Sequence, residues 1–273
     1  MEKVSHLSDE TLELSDEQIA ELSTNAPLDI NLQTTASSPS EIVYTQTRRV
    51  ELSRAHLERN RIVSGLESKE GGTYKLLRTQ VLQRMRLNHW RTLAITSPRE
   101  GAGKTVTAIN LAISLAREVN QTVLLVDFDL RRPRLRAYLT ADKMPGVGEY
   151  LLQDVPLTEL FFHPQGIDRL VVLPGSVEFQ DSSEMLSSPK VISLAEELKS
   201  RYESRLVLFD LPPVLDTDDV LAFSPYFDAA LLVIEENVTS KDDITRSVQL
   251  LKQQSNLLGT MLNKASAADA GYY

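Results

Sequence analysis

A short apolar strand pattern that leads into a glycine-containing loop and then a helix constrains this chain more than any other feature. The strand is predicted at Thr92–Thr96 and the helix at Gly103–Arg117. Gly101 and Gly103 let the backbone turn so tightly that successive N–H groups converge on one phosphate, toward which the helix dipole also points. The pattern therefore predicts a phosphate-binding loop at the edge of an α/β sheet.

The side chains of this loop suit a nucleotide. Lys104 places a positive charge at the β- and γ-phosphates, and the Thr105 hydroxyl can ligate Mg²⁺. Pro98 stands where the usual motif has its first glycine, so a simple pattern search misses the loop. The alternative is a glycine-rich turn with a chance lysine, which the flanking strand and amphipathic helix disfavour. The predicted nucleotide-binding segment consists of Glu100, Gly101, Ala102, Gly103, Lys104, Thr105 and Val106.

Two further apolar runs end in carboxylates. Asp127 and Asp129 follow one run, and the alternation of a strand places their side chains on the same side. Asp210, followed by two prolines, ends the other run. Because the carboxyl ends of parallel strands share an edge with the phosphate loop, the three acids are expected to converge. Each acid alone could be a helix cap, but the three motifs in this order predict Mg-nucleotide chemistry.

Apolar runs alternate with longer helical patterns from residue 92 onward. A run such as Val123–Val126 is apolar on both faces, which is typical of central parallel strands covered by helices. The sequence therefore predicts a three-layer α/β/α sandwich with a mainly parallel sheet. Further strands are predicted at Thr122–Asp127, Leu170–Leu173, Arg205–Asp210, Ala229–Ile234 and Leu258–Leu262, and further helices at Val191–Tyr202, Asp219–Phe223 and Ser240–Gln254.

Charge and sequence pattern together divide the chain into four parts. Residues 1–46 are acidic and poor in apolar side chains, which predicts a disordered tail. Residues 47–91 are rich in arginine and predicted to be a basic helical extension, either a solvated face or a surface for anionic lipid, a partner or another subunit. Residues 92–264 form the phosphate-binding domain. Residues 265–273 are predicted to be a flexible tail that ends in Tyr272 and Tyr273.

Composition removes several classes of protein. With no cysteine, the chain has no disulfide scaffold, thiolate metal site or cysteine nucleophile, and its four histidines lack metal-ligand spacing. No apolar run approaches the ~20 residues that cross a bilayer, and the first residues lack the layout of a signal peptide. The sequence predicts a cytoplasmic protein.

The three motifs together resemble the bacterial tyrosine kinases (BY-kinases) of capsule and exopolysaccharide synthesis. These P-loop proteins are distantly akin to the MinD/ParA ATPases. The resemblance covers residues 72–273, and its most specific segment is Asp127-Phe128-Asp129-Leu130-Arg131-Arg132-Pro133. Other matching segments are Asp210-Leu211-Pro212-Pro213 with Asp219 beyond, Leu173-Pro174-Gly175 leading to Ser183-Glu184-Met185-Leu186, and Gly259 with Leu262-Asn263-Lys264.

The resemblance implies ATP and Mg²⁺ as cofactors. In that family's mechanism, Lys104 and the loop amides hold the phosphates. Positioning and charge neutralisation supply most of the catalysis in such a mechanism. The implied magnesium-positioning residues are Thr105, Asp129 and Asp210.

The resemblance also assigns three further roles. Asp127 is the candidate base for the attacking tyrosine hydroxyl. Arg131 neutralises charge that develops on the transferring phosphoryl group. Asn263 matches an asparagine that contacts adenine in related P-loop proteins.

The implied partners are a transmembrane chain-length determinant that activates the kinase and a second copy of this chain. The first would place the protein at the inner face of the plasma membrane, and the second would receive phosphate in trans on Tyr272 and Tyr273. No nucleic-acid partner is expected. The family's Glu-x-x-Arg-x-x-Arg oligomerisation helix is altered at Gly72–Arg78, where the acid is absent and Lys75 replaces one arginine.

Two alternative functions stay open at this point. One is an ATPase switch of the MinD/ParA type, although Arg99 stands where those proteins carry a signature lysine. The other is a nucleotide-binding pseudokinase that serves as a partner of a membrane chain-length determinant.

Overall fold

The computed structural model describes residues 47–63, 69–200 and 205–265, and eight strands in these residues form one sheet. The strand order is β1-β4-β5-β3-β6-β2-β7-β8, and every neighbouring pair is parallel except β4 and β5. The predicted acidic tail over 1–46 and the predicted acceptors Tyr272 and Tyr273 lie outside the described residues. The strands are β1 (Arg48–Val50), β2 (Thr92–Thr96), β3 (Thr122–Asp127), β4 (Phe162–Pro164), β5 (Leu170–Leu173), β6 (Arg205–Asp210), β7 (Ala229–Glu235) and β8 (Asn256–Asn263).

The order of the strands brings the three sequence motifs together. Strand β6 lies between β2, which leads into the phosphate loop, and β3. In this register Asp127 at the end of β3 is paired with Asp210 at the end of β6, and Ile95 of β2 is also paired with Asp210. The carboxylates and the phosphate loop therefore share one edge of the sheet, as the sequence predicts.

Helices cover both faces of the sheet, which confirms the predicted three-layer sandwich. The helices are α1 (Arg54–Arg59), α2 (Lys69–Leu87), α3 (Lys104–Ala116), α4 (Leu135–Leu139), α5 (Val147–Gln153), α6 (Leu157–Leu160), α7 (Ser182–Leu186), α8 (Pro189–Ser200), α9 (Asp219–Phe223) and α10 (Lys241–Gln254), with a 3₁₀ turn at Ser224–Tyr226.

Buried apolar side chains form two separate layers because strand residues alternate between the faces. Leu93 and Ile95 of β2 pack with the buried face of α3 in one layer. Ala94 between them belongs to the other layer, with residues of α8 and α9. In that second layer three phenylalanines near the carboxyl edge have ring centroids 5.0 to 5.3 Å apart, which fixes the ends of β3 and β6 against α9. The three rings are Phe128, Phe209 and Phe223.

The basic segment 47–91 is part of the layered fold and only partly helical. Its first residues form β1, an edge strand beside β4, because buried Val50 adds an apolar side chain to the core. Helix α2 buries Val81 and Met85, and its Arg78 contacts the carbonyl oxygen of Ser114 at 3.2 Å. Helix α2 is 19 residues long, yet neither it nor any other helix in the described ranges is apolar enough over a sufficient length to span a membrane.

Candidate active site

The phosphate loop has the backbone conformation that its glycines predict. Gly101 and Gly103 have φ angles of +86° and +89°, a region that side chains with a Cβ rarely adopt. A Cβ on Gly103 would lie 2.3 Å from the side-chain Nδ2 of Asn263, so the Asn263 side chain would have to move to admit one. Helix α3 begins at the next residue, Lys104, and its free N–H groups face the loop. The segment has the geometry to hold a phosphate.

The segment after β6 is fastened to the phosphate loop. The Thr96 hydroxyl donates to the Pro212 carbonyl oxygen at 2.6 Å, and the Val214 amide donates to the Ser97 carbonyl oxygen at 2.9 Å. Two hydrogen bonds therefore join the segment after β6 to the start of the phosphate loop.

Lys104 lies among the three predicted acids. Its Nζ is 2.6 Å from Oδ2 of Asp129 and 3.9 Å from Oδ1 of Asp210. All four side chains are largely buried, so their charges interact in a medium of low dielectric constant. Burial acts to lower the pKa of Lys104, but Asp210, Asp129 and Asp127 outweigh it and raise that pKa, so the lysine is charged.

Burial and the neighbouring charges also change the pKa values of the carboxylates. Burial, reinforced by the charges of Asp210 and Asp129, raises the pKa of Asp127 well above its usual range. Burial raises the pKa of Asp210 from 3.8 to about 6, although the charge of Lys104 opposes the rise. One lysine is therefore insufficient to neutralise the three acids, and the site favours an additional cation.

This imbalance predicts a pH dependence of stability for the ligand-free protein. A carboxyl group with a raised pKa in the folded state contributes stability below pH 3.8, which is lost as the pH rises through about 6. The contribution amounts to at most about 3 kcal/mol. Thermal unfolding in EDTA should therefore show Asp210→Asn gaining stability relative to the parent between pH 4 and pH 7. A constant difference across that range would contradict the prediction.

Asp127 is enclosed by the protein. Its Oδ2 accepts a hydrogen bond from the Leu135 amide at 3.0 Å, and its Oδ1 accepts one from the Asp129 amide at 3.3 Å. Gly175 packs closely against the same carboxylate, since a Cβ at that position would lie 3.0 Å from Oδ2 of Asp127. Asp127 thus holds the loop between β3 and α4. Its role as a base stays a prediction.

Arg131 joins two elements that the sequence motifs did not connect. Its Nε donates to the Ser182 hydroxyl at 2.8 Å and is 3.6 Å from Oδ1 of Asp219. The sequence includes Asp219 in the resemblance without a role, and it gives no signal for Ser182. Their pairing with Arg131 depends on the packing of α7 against α9, which no local pattern encodes.

The remaining predicted nucleotide-binding residues line the loop. Glu100 is exposed and forms an ion pair with Arg132. Asn263 donates to the Ala102 carbonyl oxygen at 2.8 Å, and Lys264, which the sequence left without a role, donates to the Gly101 carbonyl oxygen at 2.8 Å. The end of β8 therefore supports the phosphate loop directly. The contact of Asn263 with adenine stays a prediction.

The site fits a nucleotide-bound magnesium ion. Both carboxylate oxygens of Asp210 are buried without a hydrogen bond of normal geometry, and oxygen atoms are the ligands that Mg²⁺ prefers. Within the described ranges, no three acidic or histidine side chains form a metal site by themselves. Mg²⁺ characteristically takes one or two carboxylates and completes its shell with water and phosphate. Asp210, Asp129 and the Thr105 hydroxyl are the residues that would hold it.

Fold and site together define a P-loop nucleotide-binding protein. A family model described as an AAA domain matches residues 90–264. Tyrosine-protein kinase YwqD of Bacillus subtilis is 29% identical over 73% of this chain and 84% of that protein. Tyrosine-protein kinase CpsD of Streptococcus pneumoniae is 31% identical over 64% of this chain and 76% of that protein. Some other relatives are larger, and the chain spans 23% or 24% of their length.

Solved structures agree with these sequence matches. The kinase domain of Escherichia coli tyrosine kinase ETK superposes with a TM-score of 0.65 and 27% identity, over 77% of this chain and 80% of that one. MinD of Pyrococcus horikoshii, solved with Mg-ADP, has a TM-score of 0.54 and 25% identity over 66% and 74% of the two chains. The chain belongs to the AAA-domain family and, within it, to the bacterial tyrosine-protein kinases.

Proposed function

We propose that this protein is an ATP-dependent, autophosphorylating tyrosine kinase that regulates the polymerisation or export of a capsule or exopolysaccharide. Its kinship with CpsD and YwqD supports the reaction class. The polysaccharide setting agrees with a relative named as a succinoglycan biosynthesis transport protein. The proposal includes a transmembrane chain-length determinant as the activating partner, which would hold the kinase at the inner face of the plasma membrane.

One observation supports phosphoryl transfer to an acceptor most directly. Lys104 of the phosphate loop is bonded to Asp129, and Arg131 lies two residues beyond that acid. We infer that Arg131 neutralises charge on the transferring phosphoryl group, the role that the resemblance implies for it. A cavity of about 320 Å³ adjoins this segment and provides room for an acceptor side chain. It is lined by Arg131, Arg132, Arg134, Glu178, Phe179 and Gln180.

In the proposed reaction, the acceptor tyrosine oxygen attacks the γ-phosphorus in line. The bond between the γ-phosphorus and the β,γ-bridging oxygen breaks, and ADP leaves. Lys104 and the loop amides stabilise the negative charge on the phosphates, and Arg131 stabilises the charge on the transferring group. Mg²⁺, when bound, neutralises charge on the β- and γ-phosphates. Asp127 is the proposed acceptor of the hydroxyl proton, which requires the loop that encloses it to open.

The second candidate function, a MinD-like ATPase switch, is supported by the shared fold. The position of Arg99 counts against it. The guanidinium donates to Asp216 at 2.7 Å and to Asp243 at 3.1 Å, so its charge is committed to carboxylates of its own chain. A residue held in this way is poorly suited to replace a signature lysine.

Incubation of the full chain with Mg-ATP tests the proposed function. We expect phosphotyrosine, detected by mass spectrometry and by antibody, to accumulate, with a higher rate when the membrane activator is present. ATP hydrolysis without phosphotyrosine would favour the ATPase switch. Nucleotide binding with neither product, in the presence of the activator, would favour the pseudokinase.

We expect the transfer to occur between copies of the chain. A mixture of a Lys104→Met chain that keeps Tyr272 and Tyr273 with an active chain lacking both tyrosines separates the two routes. Phosphotyrosine should appear on the inactive chain, and the rate should rise with protein concentration. Labelling of the wild-type chain at a rate independent of concentration, with none on the inactive chain, would show transfer in cis.

A further inference from the structure

Asp219 is a carboxylate in an environment that does not suit a purely structural acid. It is completely buried at the start of α9, and neither of its oxygens has a hydrogen-bond partner of normal geometry. A buried carboxylate that lacks well-formed hydrogen bonds is strongly disfavoured unless an opposite charge compensates it. Such a group in a folded protein therefore calls for an explanation in terms of function.

The compensating charge is Arg131. Its Nε lies 3.6 Å from Oδ1 of Asp219 and donates to the Ser182 hydroxyl at 2.8 Å. The Arg131 side chain is 41% exposed, whereas Asp219 is 0% exposed. Arg131 is thus a partly exposed cation beside a buried acid, and it is also one of the residues that line the cavity.

We propose that Asp219 is the positioning residue for Arg131: it holds the guanidinium at the cavity wall, in the orientation that reaches the transferring phosphoryl group. This inference rests on the proposed function, because it gives Arg131 its transition-state role. The Ser182 hydroxyl accepts the hydrogen bond of the same Nε. Two elements distant in sequence, α7 and α9, therefore determine the direction of one catalytic side chain.

Asp228 shows how a structural carboxylate of this fold is bonded. It accepts hydrogen bonds from the amides of Arg91 and Thr92 at 2.7 and 2.9 Å, and Lys199 forms an ion pair with it. Burial acts to raise the pKa of Asp228, but these donors outweigh it and lower that pKa. At Asp219 burial prevails and raises the pKa, since Ser182 and Arg131 only partly offset it. The ionised form of Asp219 therefore opposes folding at neutral pH, whereas that of Asp228 favours it.

The contrast between Asp219 and Asp228 supplies a pair of matched variants, in which each aspartate is replaced by asparagine. Asp219→Asn should unfold at the same or a higher temperature than the parent and bind ADP equally well. Its affinity for ADP with aluminium fluoride, a mimic of the transferring phosphoryl group, and its rate of phosphotyrosine formation should both fall by about tenfold or more. Asp228→Asn should unfold at a lower temperature and keep both the affinity for the analogue and the rate of phosphotyrosine formation.

A double-mutant cycle tests whether Asp219 acts through Arg131. In an Arg131→Gln background, Asp219→Asn should cause no further loss of affinity for the analogue. An equal loss in both backgrounds, unchanged analogue affinity in Asp219→Asn, or a lower unfolding temperature would each overturn the proposal. The measurement with the analogue depends on binding alone, so it reports the position of Arg131 even if the chain forms no phosphotyrosine. Absence of phosphotyrosine would count against the proposed function and not against the role of Asp219.

Discussion

Replacement of Lys104 by methionine is expected to abolish phosphotyrosine formation and to weaken ATP binding by about a hundredfold. The lysine is the positive charge of the phosphate loop, and the loop amides alone leave the triphosphate poorly balanced. In the variant, Asp129 and Asp210 would also repel the nucleotide without a cation between them. Calorimetric titration with ATP and a phosphotyrosine assay measure the two effects. Full ATP affinity in the variant would disprove the site assignment.

The same substitution should destabilise the ligand-free protein. Lys104 is the cation that lies among three buried acids, and removal of one partner from a buried ion pair costs about 3 kcal/mol. Urea unfolding in EDTA measures this loss, which low pH should reduce because protonated acids need no partner. Lys252→Met, an exposed lysine on α10, is the matched control and should change neither binding nor stability.

Strands of the sheet could be predicted from the sequence because the residue pattern that marks each one lies within a few consecutive positions. Strands β2, β3, β5 and β6 begin and end at the predicted residues, since each is a short buried run that ends in a polar residue or, at β5, is followed by a proline. The acids at the ends of β3 and β6 then share an edge with the phosphate loop because the strands are parallel. The sequence therefore predicted that Asp127, Asp129 and Asp210 meet at one edge, whereas the order that places β6 between β2 and β3 is seen only in the structure.

Contacts between distant elements could not be predicted in this way. Strand β1 has three residues and exists because it pairs with β4, more than a hundred positions away, so its own pattern carries little signal. The partners of Arg131 and the two carboxylates that pair with Arg99, Asp216 and Asp243, likewise come from elements far apart in sequence. A single sequence predicts which residue types meet at a sheet edge, whereas the ion pairs among them depend on tertiary packing.

Neutralisation of the metal-positioning acids is expected to separate nucleotide binding from catalysis. Asp129→Asn and Asp210→Asn should each reduce the rate of phosphotyrosine formation by about a hundredfold at limiting Mg²⁺, because a neutral amide is a poorer ligand than a carboxylate. Affinity for ADP in EDTA should be retained, since the loop amides are unchanged. In Asp129→Asn it should increase, because Lys104 is released from its 2.6 Å ion pair and is free to meet the phosphates.

The two variants should differ in a way that follows from the distances to Lys104. Asp210 lies 3.9 Å from Nζ and has no hydrogen bond of normal geometry, so its replacement should leave the lysine bonded to Asp129 and the affinity for metal-free ADP nearly unchanged. Asp168→Asn, an exposed acid between β4 and β5, serves as the control. If both variants matched the parent at limiting Mg²⁺, the acids would be structural and would take no part in catalysis. If only Asp129→Asn gained affinity for ADP without metal, the ion pair between Lys104 and Asp129 would be the interaction that nucleotide binding must break.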